Sequence, residues 1–187
     1  MIVAIEKDKC RKKGDYMKKL LILGAGGFAK VCEDIARQSG EYDRIGFLDD
    51  NAQGPYILGR CEEFRMFSGE NVEMYPAMGN NDARMYWLQQ LEEAGIRVPC
   101  LVHSSSYVSP TVRLKPGTVV LPRAVVNTGC QVEKGCLINC GAIVDHDCIL
   151  EEGTHVCIGA IVKADNRIPA RTKIEAGTVV ENGTYPL

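Results

Sequence analysis

The sequence predicts two unlike parts: an α/β, Rossmann-like N-terminal domain followed by a C-terminal parallel β-helix. Two observations carry this. A strand-like run over 18–23 (KKLLIL) leads directly into Gly24-Ala25-Gly26-Gly27-Phe28-Ala29, a G-x-G-x-x-A turn that opens a helical stretch. From Tyr107 the chain falls into blocks of six, and the second residue of every block from Val108 to Val180 is aliphatic. No α-helix or hairpin has a period of six, whereas a solenoid of short strands and corners does.

Residues 1–16 are charged and lack a period; they read either as sequence upstream of a natural start at Met17 or as an arm that packs late. Residues 17–102 read as β-α-β-β-α-β. Gly24 permits the sharp turn after the first strand, and Gly26 lets a ligand approach the backbone. With Gly27, the start of the helix (which runs to about Gln38) offers N–H groups to a phosphate. A second strand over 44–48 ends in Asp49-Asp50, where an acid contacts a ribose in dinucleotide folds; the alternative is that the pair opens a turn with Asn51. A third strand over 72–78 ends in Gly79-Asn80-Asn81, with an Asn placed to cap a helix over 82–94. Trp87, Leu88, Leu91 and Ala94 are the core face of that helix. A strand over 98–102 is expected to close the unit. The domain is too short for a two-lobed dinucleotide fold; it suits one nucleotide, or a purely structural role.

Residues 103–187 are the β-helix. Besides the aliphatic second place, the sixth place is small (Thr118, Ala124, Cys130, Cys136) and the fifth is often Gly. The aliphatic residue fills the inside, the small one fits within a corner, and Gly relieves the backbone there. Three blocks make one triangular coil, so residues eighteen apart stack at about 4.8 Å. Cys130 and Cys148 are such a pair, read as two small core residues rather than a disulfide. The repeat resembles the left-handed parallel β-helix of acyltransferases, and its length gives about four coils.

Composition narrows the partners. A net charge of −2 gives no footprint for nucleic acid, and no apolar run is long enough for a bilayer. No export signal is evident, so the nine cysteines read as reduced thiols in a cytoplasmic protein. None forms a C-x-x-C pair and only three histidines are present, so no metal site is expected.

Acyl transfer from a thioester needs a base for the attacking amine or hydroxyl and donors for the oxyanion. His146 lies in Asp145-His146-Asp147, next to a corner, with Asp147 in the fifth place. A neighbouring carboxylate would orient the ring and support its protonated form. The bland alternative is a solvated His between two acids; a repeat that otherwise uses Gly at this corner favours the catalytic reading.

The order of the G-x-G-x-x-A turn, Gly46-Phe47-Leu48-Asp49-Asp50, Gly79-Asn80-Asn81 and the stretch from Asn139 to Cys148 resembles the sialic acid O-acetyltransferase (NeuD) family, which includes acetyltransferases acting on UDP-4-amino-sugars. The resemblance runs from Met17 to about Val162. It implies a homotrimer with sites between subunits, acetyl-CoA as donor and a nucleotide-linked sugar as acceptor, in bacterial surface-glycan synthesis. It places the general base on His146 with Asp147 as its partner. Asn139 and His155 fall near acetyl-CoA; for the oxyanion, the backbone N–H of Gly159 is the candidate donor on the same cofactor-binding side. Gly24, Gly26, Gly27, Asp49, Asp50 and Asn80 fall to the sugar nucleotide. The chain departs from the family at Phe28, where a His is common, and at its C-terminal Asn182-Gly183-Thr184-Tyr185-Pro186-Leu187, where further coils are usual. The alternative reading is therefore a non-catalytic nucleotide-sugar-binding trimer without a CoA site. An NAD-dependent oxidoreductase would rest on the glycine turn alone.

Overall fold

The computed structural model describes residues 18–187; the alternatives for residues 1–16 lie outside them. The first domain is a four-stranded parallel sheet in the order β3-β2-β1-β4. Its strands are β1 (Lys18–Leu23), β2 (Tyr42–Leu48), β3 (Ile57–Gly59) and β4 (Val72–Pro76). Helix α1 (Gly27–Ser39) follows β1 and α2 (Asn81–Glu93) follows β4. The apolar run of β1 is central because its strand is flanked on both sides, so Leu20, Ile22 and Leu23 are fully buried. α1 buries Ala29, Cys32, Ile35 and Ala36 and ends in a left-handed Gly40. In α2, Leu88 and Leu91 are buried as expected, Trp87 and Ala94 only partly. Strand β3 and the 3₁₀ turn Cys61–Phe67 were not expected; each is too short to show a period.

The expected closing strand is a correction. Only Leu101–Val102 is extended, and it pairs with Val119–Val120 of the solenoid rather than with the first sheet. It sits eighteen residues before that strand, so it is already in phase with the repeat. The solenoid therefore begins one block earlier than Tyr107. Arg97 alone reaches the first sheet, through a single bridge to Glu73.

The rest is a left-handed parallel β-helix of two-residue strands at six-residue intervals. Three sheets form its faces. The first face stacks Leu101–Val102, Val119–Val120, Leu137–Ile138, His155–Val156 and Lys173–Ile174. The second stacks Tyr107–Val108, Val125–Val126, Ile143–Val144, Ile161–Val162 and Val179–Val180. The third stacks Arg113–Leu114, Gln131–Val132, Ile149–Leu150 and Arg167–Ile168. Second-place residues from Val120 to Val180 fill the interior.

Corners explain the other two regularities. Every fifth-place residue from Gly117 to Gly177 has φ between 55° and 74°, including the non-glycines Arg123, Asp147, Asp165 and Arg171. Asp147 is thus not the lone exception to Gly, and its corner is not singled out by that feature. The sixth place does more than fit. Thr118 Oγ1 donates to the Glu133 carbonyl (3.1 Å), Cys130 Sγ to Asp145 (2.9 Å), Cys148 Sγ to Lys163 (3.2 Å) and Asn166 Nδ2 to Glu181 (3.0 Å). Each side chain donates to a corner carbonyl of the following coil and so ties successive coils together. That use, and not bridging, accounts for the stacked cysteines: all eight cysteines among the described residues are free thiols.

The first face is covered by the α/β domain. Val119, Leu121 and Leu137 share one core with α2, whose Met85 and Leu88 lie against the corner glycines. At Gly135, φ is +67° and a Cβ would fall 2.5 Å from Met85 Sδ; at Gly177, φ is +68° but nothing lies within 4 Å. Gly177→Ala is therefore expected to lower stability by about 1 kcal/mol, the left-handed strain alone. Gly135→Ala adds overpacking and is expected to cost about 3 kcal/mol in all. Denaturant midpoints of the two variants check this; equal losses would mean that α2 does not press on the corner.

Candidate active site

Strand β1 is the point where the sheet changes direction: the chain leaves it through α1 towards β2 on one side, and β4 lies on the other. In such sheets a crevice opens beyond the carboxyl ends of the strands at this point. Gly24 turns there with φ +94°, and its Cβ position is 3.4 Å from the Ala77 carbonyl across the crevice. Gly26 caps α1 without a side chain, and a Cβ on Gly26 or Gly27 would meet nothing within 4 Å. Gly26 and Gly27 thus line open space at a helix start that no side chain caps.

The polar residues expected beside them are partly committed elsewhere. Asp49 Oδ2 accepts from Ala25 N (2.7 Å), and Oδ1 accepts from Asn51 N (2.9 Å) and Ala52 N (2.7 Å). Burial opposes its ionisation, but the backbone donors outweigh it and hold the carboxyl below the usual range. Asp49 thus ties the glycine turn to the turn after β2, the alternative the sequence left open. Asp50 accepts from Cys61 N (3.1 Å). Asn80 Oδ1 accepts from Ala83 N (2.9 Å), as the cap of α2. Two open clefts elsewhere in this domain, one lined by Leu58, Met66 and Val72 and one by Lys18, Glu73 and Arg97, adjoin the amino ends of β1 and β4 and contain none of these residues.

His146 stands at the corner between the second and third faces. The left-handed φ of 55° at Asp147 turns its side chain back onto the preceding ring, and Oδ2 lies 2.8 Å from His146 Nδ1. Asp145 Oδ1 accepts from the His146 N–H (2.8 Å) and from Asn127 Nδ2 (3.1 Å), which hold its carboxyl below the usual range. The bond to Asp147, with smaller contributions from Asp145 and from Asp165 one coil on, raises the His146 pKa above that of a free imidazole. Because Nδ1 faces the carboxylate, Nε2 is the nitrogen left to exchange a proton.

Asn139 and His155 form a second pair. Asn139 Oδ1 accepts from Cys140 N (2.8 Å), which orients the amide so that Nδ2 donates to His155 Nε2 (3.3 Å). This network assigns the His155 proton to Nδ1, an atom that is buried and has no hydrogen-bond partner. Burial, helped by the positive charges of Arg84 and Lys173, lowers the His155 pKa to about 4, so the ring is neutral at physiological pH.

The Gly159 expectation needs a correction. Its N–H donates to the Cys140 carbonyl (3.0 Å), so it is not available to an oxyanion. The reason is general to the fold: the fifth-place N–H reaches the fourth-place carbonyl of the preceding coil, as at Gly141 to Pro122 and Asp147 to Thr128. Within one chain the two pairs are also not brought together. Asn139 and His155 flank the corner between the first and second faces, and the strand Ile143–Val144 separates that corner from His146. Sequence reasoning missed Arg84, which is fully buried within α2; a charged residue inside an amphipathic helix reads as solvated. Among the described residues no group of three or more His, Cys, Asp or Glu could hold a metal ion, and no helix is long and apolar enough to cross a membrane.

Comparisons with known proteins agree with this fold. Residues 19–91 match the PglD N-terminal domain. The acetyltransferase domain of PglB from Neisseria gonorrhoeae FA1090 is 33% identical over 87% of this chain and 82% of that one, with a TM-score of 0.84. Its complex with acetyl coenzyme A superposes with a TM-score of 0.85, over 88% of this chain and 82% of that one at 33% identity. PerB from Caulobacter crescentus, solved with CoA and GDP-perosamine, is 23% identical over 89% of this chain and 93% of that one; its TM-score of 0.68 supports the fold alone. The identity of 33% holds across most of both chains, and the chain belongs to the family of the PglB acetyltransferase domain.

Proposed function

We propose that the chain moves an acetyl group from acetyl-CoA to an amine or hydroxyl of a nucleotide-linked sugar, with His146 as general base. The observation that carries this is the 2.8 Å contact between His146 Nδ1 and Asp147 Oδ2 on an exposed corner. It fixes the ring, leaves Nε2 to take the proton of the attacking acceptor, and stabilises the imidazolium until that proton passes to the departing thiolate. The related PglB domain has been solved with acetyl coenzyme A, which supports the choice of donor. Asn139 and the neutral His155 then belong beside the donor, with the corner around Gly159. The glycine turn of Gly24, Gly26 and Gly27 takes the nucleotide, with Asp49, Asp50 and Asn80 shaping the pocket around it. A His base serves an amine or a hydroxyl acceptor alike, so amino-sugar nucleotides and sialic acid hydroxyls belong in the same screen. The reaction is placed in the cytoplasm, in bacterial surface-glycan synthesis.

A homotrimer is part of this reading, and the second face supports it with an apolar column. Its outward positions Tyr107, Val125, Ile143, Ile161 and Val179 form an apolar column, of which Tyr107, Ile143 and Val179 are exposed. The third face shows Arg113, Gln131, Ile149 and Arg167 at the equivalent positions, three polar residues in four. Packing the apolar column against a second copy lets the His146 corner of one chain meet the Asn139–His155 corner of the next.

Calorimetry is expected to show saturable acetyl-CoA binding at about one site per chain, and its absence on folded protein would remove the donor assignment. His146→Ala is expected to lower kcat about 10²- to 10⁴-fold with the assembly intact; unchanged turnover rules out the base. The pH profile carries a sign. A raised pKa keeps His146 protonated, and so inactive as a base, to higher pH. Thus kcat/KM falls as pH drops through a value above that of free imidazole. Asp147→Asn removes the main cause of the shift and is expected to move that limb to lower pH; a limb that stays in place would show that another group titrates.

A further inference from the structure

Arg84 has no role in the chemistry above, yet it is fully buried and bonded to no carboxylate. Burying an uncompensated charge is expensive unless every donor is satisfied. Here each is. A guanidinium has five N–H groups in a rigid plane, and they meet five oxygens. Nε donates to Gly135 O (2.8 Å). Nη1 donates to Met78 O (3.0 Å) and, at 3.5 Å, to Gly79 O. Nη2 donates to Asn81 Oδ1 (2.9 Å) and Gly153 O (3.0 Å).

Those oxygens belong to two domains. Met78 and Gly79 lie beyond β4 and lead into Asn80, on the crevice side opposite the glycine turn. Gly135 and Gly153 are fifth-place corner residues of successive coils. Asn81 continues the same column by donating from Nδ2 to Arg171 O (2.8 Å), and Arg171 Nη1 donates to Asp82 Oδ1 (3.0 Å). The start of α2 is thereby fixed to three consecutive coils, two residues from His155. A hydrophobic contact can slide; five convergent hydrogen bonds on one plane define both distance and orientation.

We propose that Arg84 is a positioning residue for acetyl transfer: it sets the acceptor turn 78–80 at a fixed place relative to the coils that carry the donor site. This deepens the acetyltransferase reading and rests on it. The acceptor is held by one domain and the donor by the other, so their reacting atoms meet only as accurately as the domains are joined.

The experiment is steady-state kinetics of the full chain with acetyl-CoA and an amino-sugar nucleotide, comparing wild type, Arg84→Lys and Asn81→Ala. Lys keeps the charge but has three donors and no fork. Arg84→Lys is expected to raise the acceptor KM about tenfold and lower kcat, with the acetyl-CoA KM within about twofold of wild type. Asn81→Ala keeps the guanidinium and removes one acceptor from it, with an expected acceptor KM rise of about threefold. A merely structural role would reduce the folded fraction and leave both KM values unchanged in what remains. A folded Arg84→Lys with the wild-type acceptor KM, or with both KM values shifted equally, overturns the proposal while leaving the enzyme reading in place. Should Arg84→Lys not fold, an unchanged acceptor KM in Asn81→Ala overturns it. A wild-type chain that binds acetyl-CoA but acetylates neither amino-sugar nucleotides nor sugar hydroxyls removes the enzyme reading, and the positioning role falls with it.

Discussion

The left-handed residue at the fifth place of each corner is the constraint on which the solenoid depends. It bends the chain tightly enough that a two-residue strand meets its next copy eighteen residues later, and in most coils its N–H reaches the fourth-place carbonyl of the coil before. With that geometry fixed, the inward aliphatic column and the sixth-place donors follow from simple requirements. The interior must be filled, and a buried carbonyl must be satisfied. Cys and Thr suit the sixth place because each is small and can donate.

The same constraint shapes the candidate site. His146 is aligned by Asp147 only because the fifth place is left-handed, which folds the carboxylate back over the preceding side chain. Asp tolerates this conformation better than most residues. The regularity also limits chemistry. The amide of Gly159 is a rung of the ladder, so a donor to a developing oxyanion has to come from a group outside that pattern. The Asn139–His155 pair is built differently: burial keeps its imidazole uncharged, whereas the exposed His146 is biased towards the proton. Two histidines on one solenoid thus receive opposite electrostatic settings, one from a bonded carboxylate and the other from burial.

Much of this was legible in the sequence because the repeat is long and its period is unlike any other. The second-place column and the small sixth place could be read from residue types alone, and the strand–turn–helix at Gly24 from context. The phase of the repeat at Leu101 was missed because Val98 to Val102 is apolar enough to pass for a strand of the first sheet. Strand β3 depends on register against Phe47 and Leu48, which no local pattern reveals. The role of Asp49 turned on where its oxygens point, a matter of tertiary geometry. Arg84 was invisible for the same reason: five acceptors converge on it from three segments, 78–81 beside it and Gly135 and Gly153 far along the chain.

The eighteen-residue coil has a consequence for how such a chain can change over evolutionary time. Each coil touches only the coils above and below it, so gaining or losing a whole coil beyond the last contact of α2 leaves every face aligned. A gain of a single block of six does not. It advances the solenoid by one face, so each later residue moves to the neighbouring side of the prism. Length changes within the repeat are therefore filtered by codon count, in multiples of eighteen residues, whereas between Gly40 and Val72, where loops connect the elements, insertions of any length face no such filter.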